Sequence, residues 1–407
     1  MKTAKTSKRA LLCSVLSIAL CLSMLIGTTF AWFTDTATTA VNKITSGTLN
    51  VEIQSAEGQT ISELSWVKAA GHETESVLWE PGCTYTLTPF KVANIGTLAL
   101  KYKMVITGFT GDQELLDVIH FTVTEDSQPV SLDTFEGHLT AQGTAGAASG
   151  LITVSATMDP TAGNDYQGKT LDGVSIKVYA TQDTVEHDSN GKDYDQGAAY
   201  PVAGAGELKT ALAAGGAVSV KEDIKTDNIG DTAADRVIIS QPTTLNLEAK
   251  IVSPDNMGNN NTNFTALIVD ADTTINATEK GGIDTGVNGG YGINVRNGAN
   301  LTINGGSYYG GGTAVQVQEG TLTINGGTFA CEPYSNPTYG YNFMLNCIDS
   351  AYRDGTAKII VKGGTFVNFN PADCSAEGAH TNFVADGYKV VSEEKDGGIW
   401  YTVVKAN

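Results

Sequence analysis

The chain has 407 residues, 41% apolar and only 17% charged, long enough for two buried cores and too apolar for a generic disordered chain. Its formal net charge is −19, and four of its 25 cations (Lys2, Lys5, Lys8, Arg9) stand in the first nine residues. The remainder of the chain is more acidic still, a surface that repels nucleic acid and anionic membranes, so nucleic-acid binding is set aside.

Lys2 to Arg9 form a basic segment and Ala10 to Gly27 an apolar run; Thr29-Phe30-Ala31 then offers small residues at −3 and −1 of a cleavage site. Residues 1–31 are therefore expected to be an export signal. The apolar run is also close to spanning length, so an uncleaved anchor is the other reading. Cys21 follows Leu20, which is too large for a lipoprotein signal.

Residues 45–182 alternate at period 2 between turn residues: Leu49/Val51/Ile53, Tyr85/Leu87, Leu100/Tyr102/Met104/Ile106, Phe121/Val123 and Val174/Ile176/Val178. Short strands with that punctuation predict a β-sandwich, with room for one helical turn over 111–119. Several stretches in this half also match a known pattern. They are Thr29-Phe-Ala-Trp-Phe-Thr-Asp35, Ile44-Thr-Ser-Gly-Thr-Leu-Asn-Val-Glu-Ile53, Leu78-Trp-Glu-Pro-Gly82, the run from Phe90 to Tyr102, and Ile176-Lys-Val-Tyr-Ala-Thr-Gln182. In them residues 1–182 resemble the camelysin/TasA family of Gram-positive bacteria, exported with a dedicated SipW-type signal peptidase. The resemblance implies cleavage between Ala31 and Trp32, a jelly-roll-like sandwich over 32–182, and a secreted or cell-surface location. It also implies biofilm-matrix assembly with itself or other matrix proteins by β-strand donation.

The camelysin name carries a claimed peptidase activity, which would need zinc. His72-Glu73-Thr-Glu-Ser76 begins like the helical metalloprotease motif but has Ser76 where the second imidazole belongs. His120, His138, His187 and His380 add no ligand spacing.

Residues 183–206 read as a linker, acidic first and then rich in Gly, Ala and Pro201. Asp188, Asn190, Asp193 and Asp195 within it resemble a calcium loop, but the spacing fails the EF-hand pattern. Calcium is the one cofactor left open, and no other is expected. Glu207 to Gly216 predicts a short amphipathic helix with Leu208, Ala211 and Leu212 on one face.

Residues 291–329 write one pattern twice. Ile293 and Val295 recur as Val315 and Val317; Leu301, Ile303 and Tyr308 recur as Leu322, Ile324 and Phe329; a third copy runs from Ile359 to Phe366. No Pro falls between Pro254 and Pro333. A period near 21 with alternating strands is too short for helical-hairpin repeats. Coils stacked about 4.8 Å apart would set Ile293 on Val315 and Ile303 on Ile324, with the Gly-Gly pairs as positive-φ corners. This predicts a parallel β-helix over 207–407, similar to the right-handed pectate-lyase-like fold. Val218/Val220, Val237/Ile239, Leu245/Leu247, Leu267/Val269 and Ile275 would be its early rungs, and residues 381–405 its closing strands.

For function, the pectate-lyase likeness raises a polysaccharide lyase or hydrolase. Such an enzyme needs basic residues and clustered carboxylates. Beyond the leader the arginines are Arg236, Arg296 and Arg353, and Asp270, Asp272 and Asp284 read as turn residues. Seven of the 15 tyrosines lie between Tyr291 and Tyr352. Tyr308, Tyr309, Tyr334, Tyr339 and Tyr341 are the candidate platform for sugar rings, against the plainer reading of an insertion folded on its own rungs. Cys331 and Cys347 flank that insertion, and an oxidising exterior would let them form a disulfide; Cys83 and Cys374 have no evident partner. The expectation is a non-enzymatic, exported structural or adhesive all-β protein, with self-association, matrix proteins or polysaccharide as partners.

Overall fold

The computed structural model describes residues 47–107, 109–131, 135–172, 175–183, 198–226, 237–254, 265–286, 290–334 and 336–406. The expected leader, its cleavage pair Ala31 and Trp32, Val174, His187, Arg236 and the linker acids from Glu186 to Asp195 lie outside them. Among the described residues the chain is all-β, with α-helices only at Ala205–Ala214 and Asp349–Asp354.

Residues 49–183 form two main antiparallel sheets and a short two-stranded one, Thr110–Gly111 with Leu171–Asp172, around two clusters of buried residues. The larger runs Val51–Ser55, Phe90–Asn94, Ile152–Met158, Ile119–Glu125, Gln128–Val130, with Thr84–Thr86 also on Ile152–Met158. The smaller main sheet is Ser175–Gln182, Leu100–Thr107, Gly137–Leu139. Alternate residues point inward, so Phe90 and Val92 from one sheet meet Leu100, Tyr102 and Met104 from the other, all buried. The expected helical turn is a 3₁₀ turn, Gln113–Asp117. The sequence reading overlooked the central strand Ile152–Met158, whose Ile152, Val154, Ala156 and Met158 are all buried on one face.

From residue 202 onward the chain builds parallel ladders with three inward columns. The first is Val218, Leu245, Ile275, Ile303, Ile324 and Val361, paired in register coil after coil. The second is Ile224, Ile251, Ile283, Tyr308, Phe329 and Phe366. The third is Ile239, Val269, Val295, Val317 and Cys347, with Ile293 on Val315 beside it. These side chains form one continuous core. At about 25 cal/mol per Å² of apolar area removed from water, this burial is the main force holding the coils together.

The corner between the first two columns is not a strand break. Ala299–Gly310 and Gly320–Cys331 run through it as single strands whose pairing slips between Ile303 and Ser307. Gly305 sits there at φ +136°, and a Cβ on it would lie 2.5 Å from the Ala277 carbonyl oxygen, so only glycine fits.

Both ends of the stack are covered. Helix Ala205–Ala214 buries Leu208 and Leu212 against the first coil. At the far end Thr365–Val367 pairs antiparallel with Gly398–Lys405, which pairs in turn with Tyr388–Lys395. Lys103 from the sandwich donates to Glu207 of the helix at 3.0 and 3.1 Å.

Candidate functional site

Several of the residues put forward from the sequence have local structural partners. His72 Nδ1 lies 2.8 Å from Glu75 Oε1 on the exposed surface. Glu73 instead accepts from the Gly71 amide at 2.9 Å, and the backbone donors hold its carboxyl below the usual value. Among the described residues no group of three or more His, Cys, Asp or Glu side chains is arranged to hold a metal ion.

The three aspartates on the coils are likewise engaged. Asp270 takes a two-pronged pair from Arg296, at 2.8 Å from Nε and 2.7 Å from Nη2. Asp272 accepts from the Asn300 amide and side chain at 2.9 and 3.0 Å. Asp284 meets Lys250 Nζ at 3.0 Å and the Gly286 amide at 3.1 Å. Each carboxylate is thus held by donors of its own.

The tyrosine platform divides. Tyr308 is a correction: it is 1% exposed and stacks on Phe329 at 4.9 Å, which stacks on Phe366 at 5.1 Å. It belongs to the second core column, and its hydroxyl donates to Gly305 O at 2.8 Å. The repeat itself carried that signal, since Phe329 and Phe366 occupy the equivalent positions. Tyr341 packs partly buried against the same core. Tyr309 is half-buried, and burial, with Glu332 nearby, pushes its phenol up to about 12. Tyr334 and Tyr339 gather with Phe343 in edge and tilted contacts, and Tyr339 is 45% exposed. The insertion therefore folds mainly onto itself and presents one aromatic face.

The disulfide is the second correction. Cys331 and Cys347 are free thiols, as are Cys83 and Cys374. Cys331 ends a strand of the larger parallel sheet and Cys347 a strand of the smaller one, so each lies in a separate ladder. Burial pushes the Cys331 thiol up to about 12 and Cys374 up to about 11, and raises Cys347 as well. Such thiols stay protonated and are poor nucleophiles.

Two polar columns escaped the sequence reading. On the larger sheet Asn276 donates to Asn246 at 3.1 Å, Asn304 to Asn276 at 2.9 Å and Asn325 to Asn304 at 2.8 Å. The signal was the recurring Thr-x-Asn of Thr244–Asn246, Thr274–Asn276, Thr302–Asn304 and Thr323–Asn325. On the smaller sheet Asn294, Gln316 and Asn346 share a column. Gln316 is 1% exposed, and neither its Oε1 nor its Nε2 has a hydrogen-bond partner; Asn294 Oδ1 lacks one too.

No curated protein matches the chain. Residues 6–111, which take in the expected leader and the first strands of the sandwich, match the family described as Camelysin metallo-endopeptidase.

Proposed function

We propose that the chain is an exported cell-surface or biofilm-matrix protein of a Gram-positive bacterium, structural and adhesive in role. In this reading a camelysin/TasA-like sandwich carries a C-terminal parallel β-helix as spacer and adhesive module. The observation that carries it is the union of two features. The family match over residues 6–111 fits an exported matrix-type protein, and it is joined to a long stack whose capped ends and repeated outer face suit multivalent contact. Processing by a SipW-type peptidase between Ala31 and Trp32 and strand donation between subunits belong to the same reading. Val51–Ser55 supports donation, because it is the end strand of its sheet and residues 59–61 bridge only the Ile53–Ser55 part of its outer edge.

The family's description favours a second reading, a zinc endopeptidase. His72 bonded to Glu75 and Glu73 bonded to the Gly71 amide weigh against this stretch as the zinc site. Expression in a Gram-positive host that has the dedicated signal peptidase tests both. The expected result is secreted protein beginning at Trp32, retained in the matrix fraction, with no casein turnover above a buffer blank with or without zinc. Zinc-dependent casein cleavage that disappears in the His72→Ala variant would replace the structural reading with the enzymatic one.

A further inference from the structure

The larger parallel sheet turns a regular polar face outward. Thr244, Thr274, Thr302 and Thr323 are paired in register on four successive coils, and two residues further along each strand stand Asn246, Asn276, Asn304 and Asn325. The array is about 14 Å long at about 4.8 Å per coil, and its two rows lie about 6.6 Å apart. Ala217 borders it on the first coil and Ile360 on the last. A shallow depression of about 550 Å³ lies over Thr244, Thr274, Asn300 and Thr302, with the Asp272 carboxylate, which already accepts from Asn300, at its border.

Three properties of this face specify a partner. None of the eight residues is ionisable, in a chain whose formal net charge is −19. A polyanion would meet repulsion from the rest of the surface and no cation in the array, whereas an uncharged polymer meets neither obstacle. Every group is both donor and acceptor. The four threonine hydroxyls have no protein partner among the described residues. Each inner asparagine spends one N–H and one carbonyl lone pair on the ladder and keeps one of each. The side chains are also set in advance: the threonines are stiff at χ1 and the amides are held by their neighbours, so little rotamer entropy is lost on contact. A surface with a fixed repeat matches a ligand with a repeat.

We propose that the Thr-x-Asn face docks an extended, uncharged polysaccharide lying along the stack axis, its hydroxyls exchanging hydrogen bonds with successive coils. The inference rests on the adhesive part of the function proposed above and names its partner and its surface.

The test is co-sedimentation of the full secreted chain with insoluble cellulose, chitin, xylan and mannan, with polygalacturonate gel as the charged control. Retention on at least one neutral glycan is expected, with about tenfold weaker retention for Thr302→Lys and for the milder Thr274→Ala/Thr302→Ala pair, full retention for Thr302→Ser, and no change for Tyr339→Ala. Unaltered thermal unfolding of each variant separates lost contact from lost fold. Neutral-glycan retention that survives both threonine variants, or fails only in Tyr339→Ala, overturns this face and leaves the adhesive reading standing. Retention on polygalacturonate alone overturns the assigned partner. Absence of retention on every glycan overturns the face and the adhesive reading together.

Discussion

The two parallel sheets of the stack share one core and one coil spacing, yet their outward faces differ. In the larger sheet burial alternates along Thr243–Leu247 and over Thr273–Asn276, and the outward amides bond to one another from coil to coil. In the smaller sheet Thr265–Val269, Tyr291–Val295 and Val315–Val317 are buried at every position, and the outward amides of Asn294 and Gln316 carry unpartnered atoms. Equal side chains in register can hand a hydrogen bond up the column. An Asn set against a Gln differs from it by one methylene, and here the pair forms no such bond. The repeat thus dictates the inward face of both sheets, while the outward face depends on whether neighbouring coils repeat the same side chain.

The largest effect should come from breaking what the two sheets share. Ile324 is fully buried between Ile303 and Val361, and Ile324→Asp would place an unpaired charge there. The expected cost is on the order of 4 kcal/mol, enough to melt the stack while the sandwich core, with its separate set of buried residues, stays folded. Two separate transitions in thermal unfolding, with only the stack's displaced, would bear this out; a single unchanged transition would refute the ladder.

A paired experiment on the outward faces should give effects of opposite sign. Asn304→Ala removes its bonds to Asn276 and Asn325 and should lower stability by roughly 1 kcal/mol, since the site is exposed. Gln316→Met keeps the length, deletes two unpartnered buried atoms, and should raise stability by about 1 kcal/mol. Urea midpoints at constant m-value measure both. If the two variants moved the midpoint in the same direction, the contrast between the faces would fail.

The smallest effect is a pH dependence at the end of the smaller sheet. Glu377 Oε1 accepts from the Cys347 amide at 2.5 Å, its other oxygen has no partner, and burial raises its carboxyl above the ordinary 4.5. A folded value above the unfolded one means the folded state holds the proton more tightly. The associated stability is full below about pH 4.5 and is lost as pH rises through the raised value. Glu377→Gln should therefore flatten the decline of Tm with pH in that window and raise Tm slightly at neutral pH. An identical Tm–pH slope in the two proteins would show that the carboxyl stays in water.

Legibility in the sequence divides along the same line. The inward ladders were legible because apolar identity recurs at a fixed period, and Ile293 on Val315 and Ile303 on Ile324 pair as that period requires. Tyr308 was misread because its hydroxyl suggested a surface role, while its equivalents Phe329 and Phe366 already marked the position as core. The split within the tyrosine cluster was not legible, because the insertion breaks the repeat and leaves no periodicity to argue from. The strand Ile152–Met158 alternates as cleanly as its neighbours; its small Ser155, Ala156 and Thr157 hid a central position that only pairing to Ile119–Glu125 reveals.

The closing hairpin has a consequence for polymer growth. Coils add to one another only through parallel pairing, and after Thr365–Val367 that pairing dwindles to a single parallel bridge of Val384 on Val361 before Gly398–Lys405 reverses the direction. Tyr388–Lys395 then faces outward with Lys389, Glu393, Glu394 and Lys395 along it, charges that discourage a further strand. That end of the molecule is a chain terminator. Copies cannot extend one another's coils by parallel pairing through it, so any filament built from this chain must elongate from some other edge.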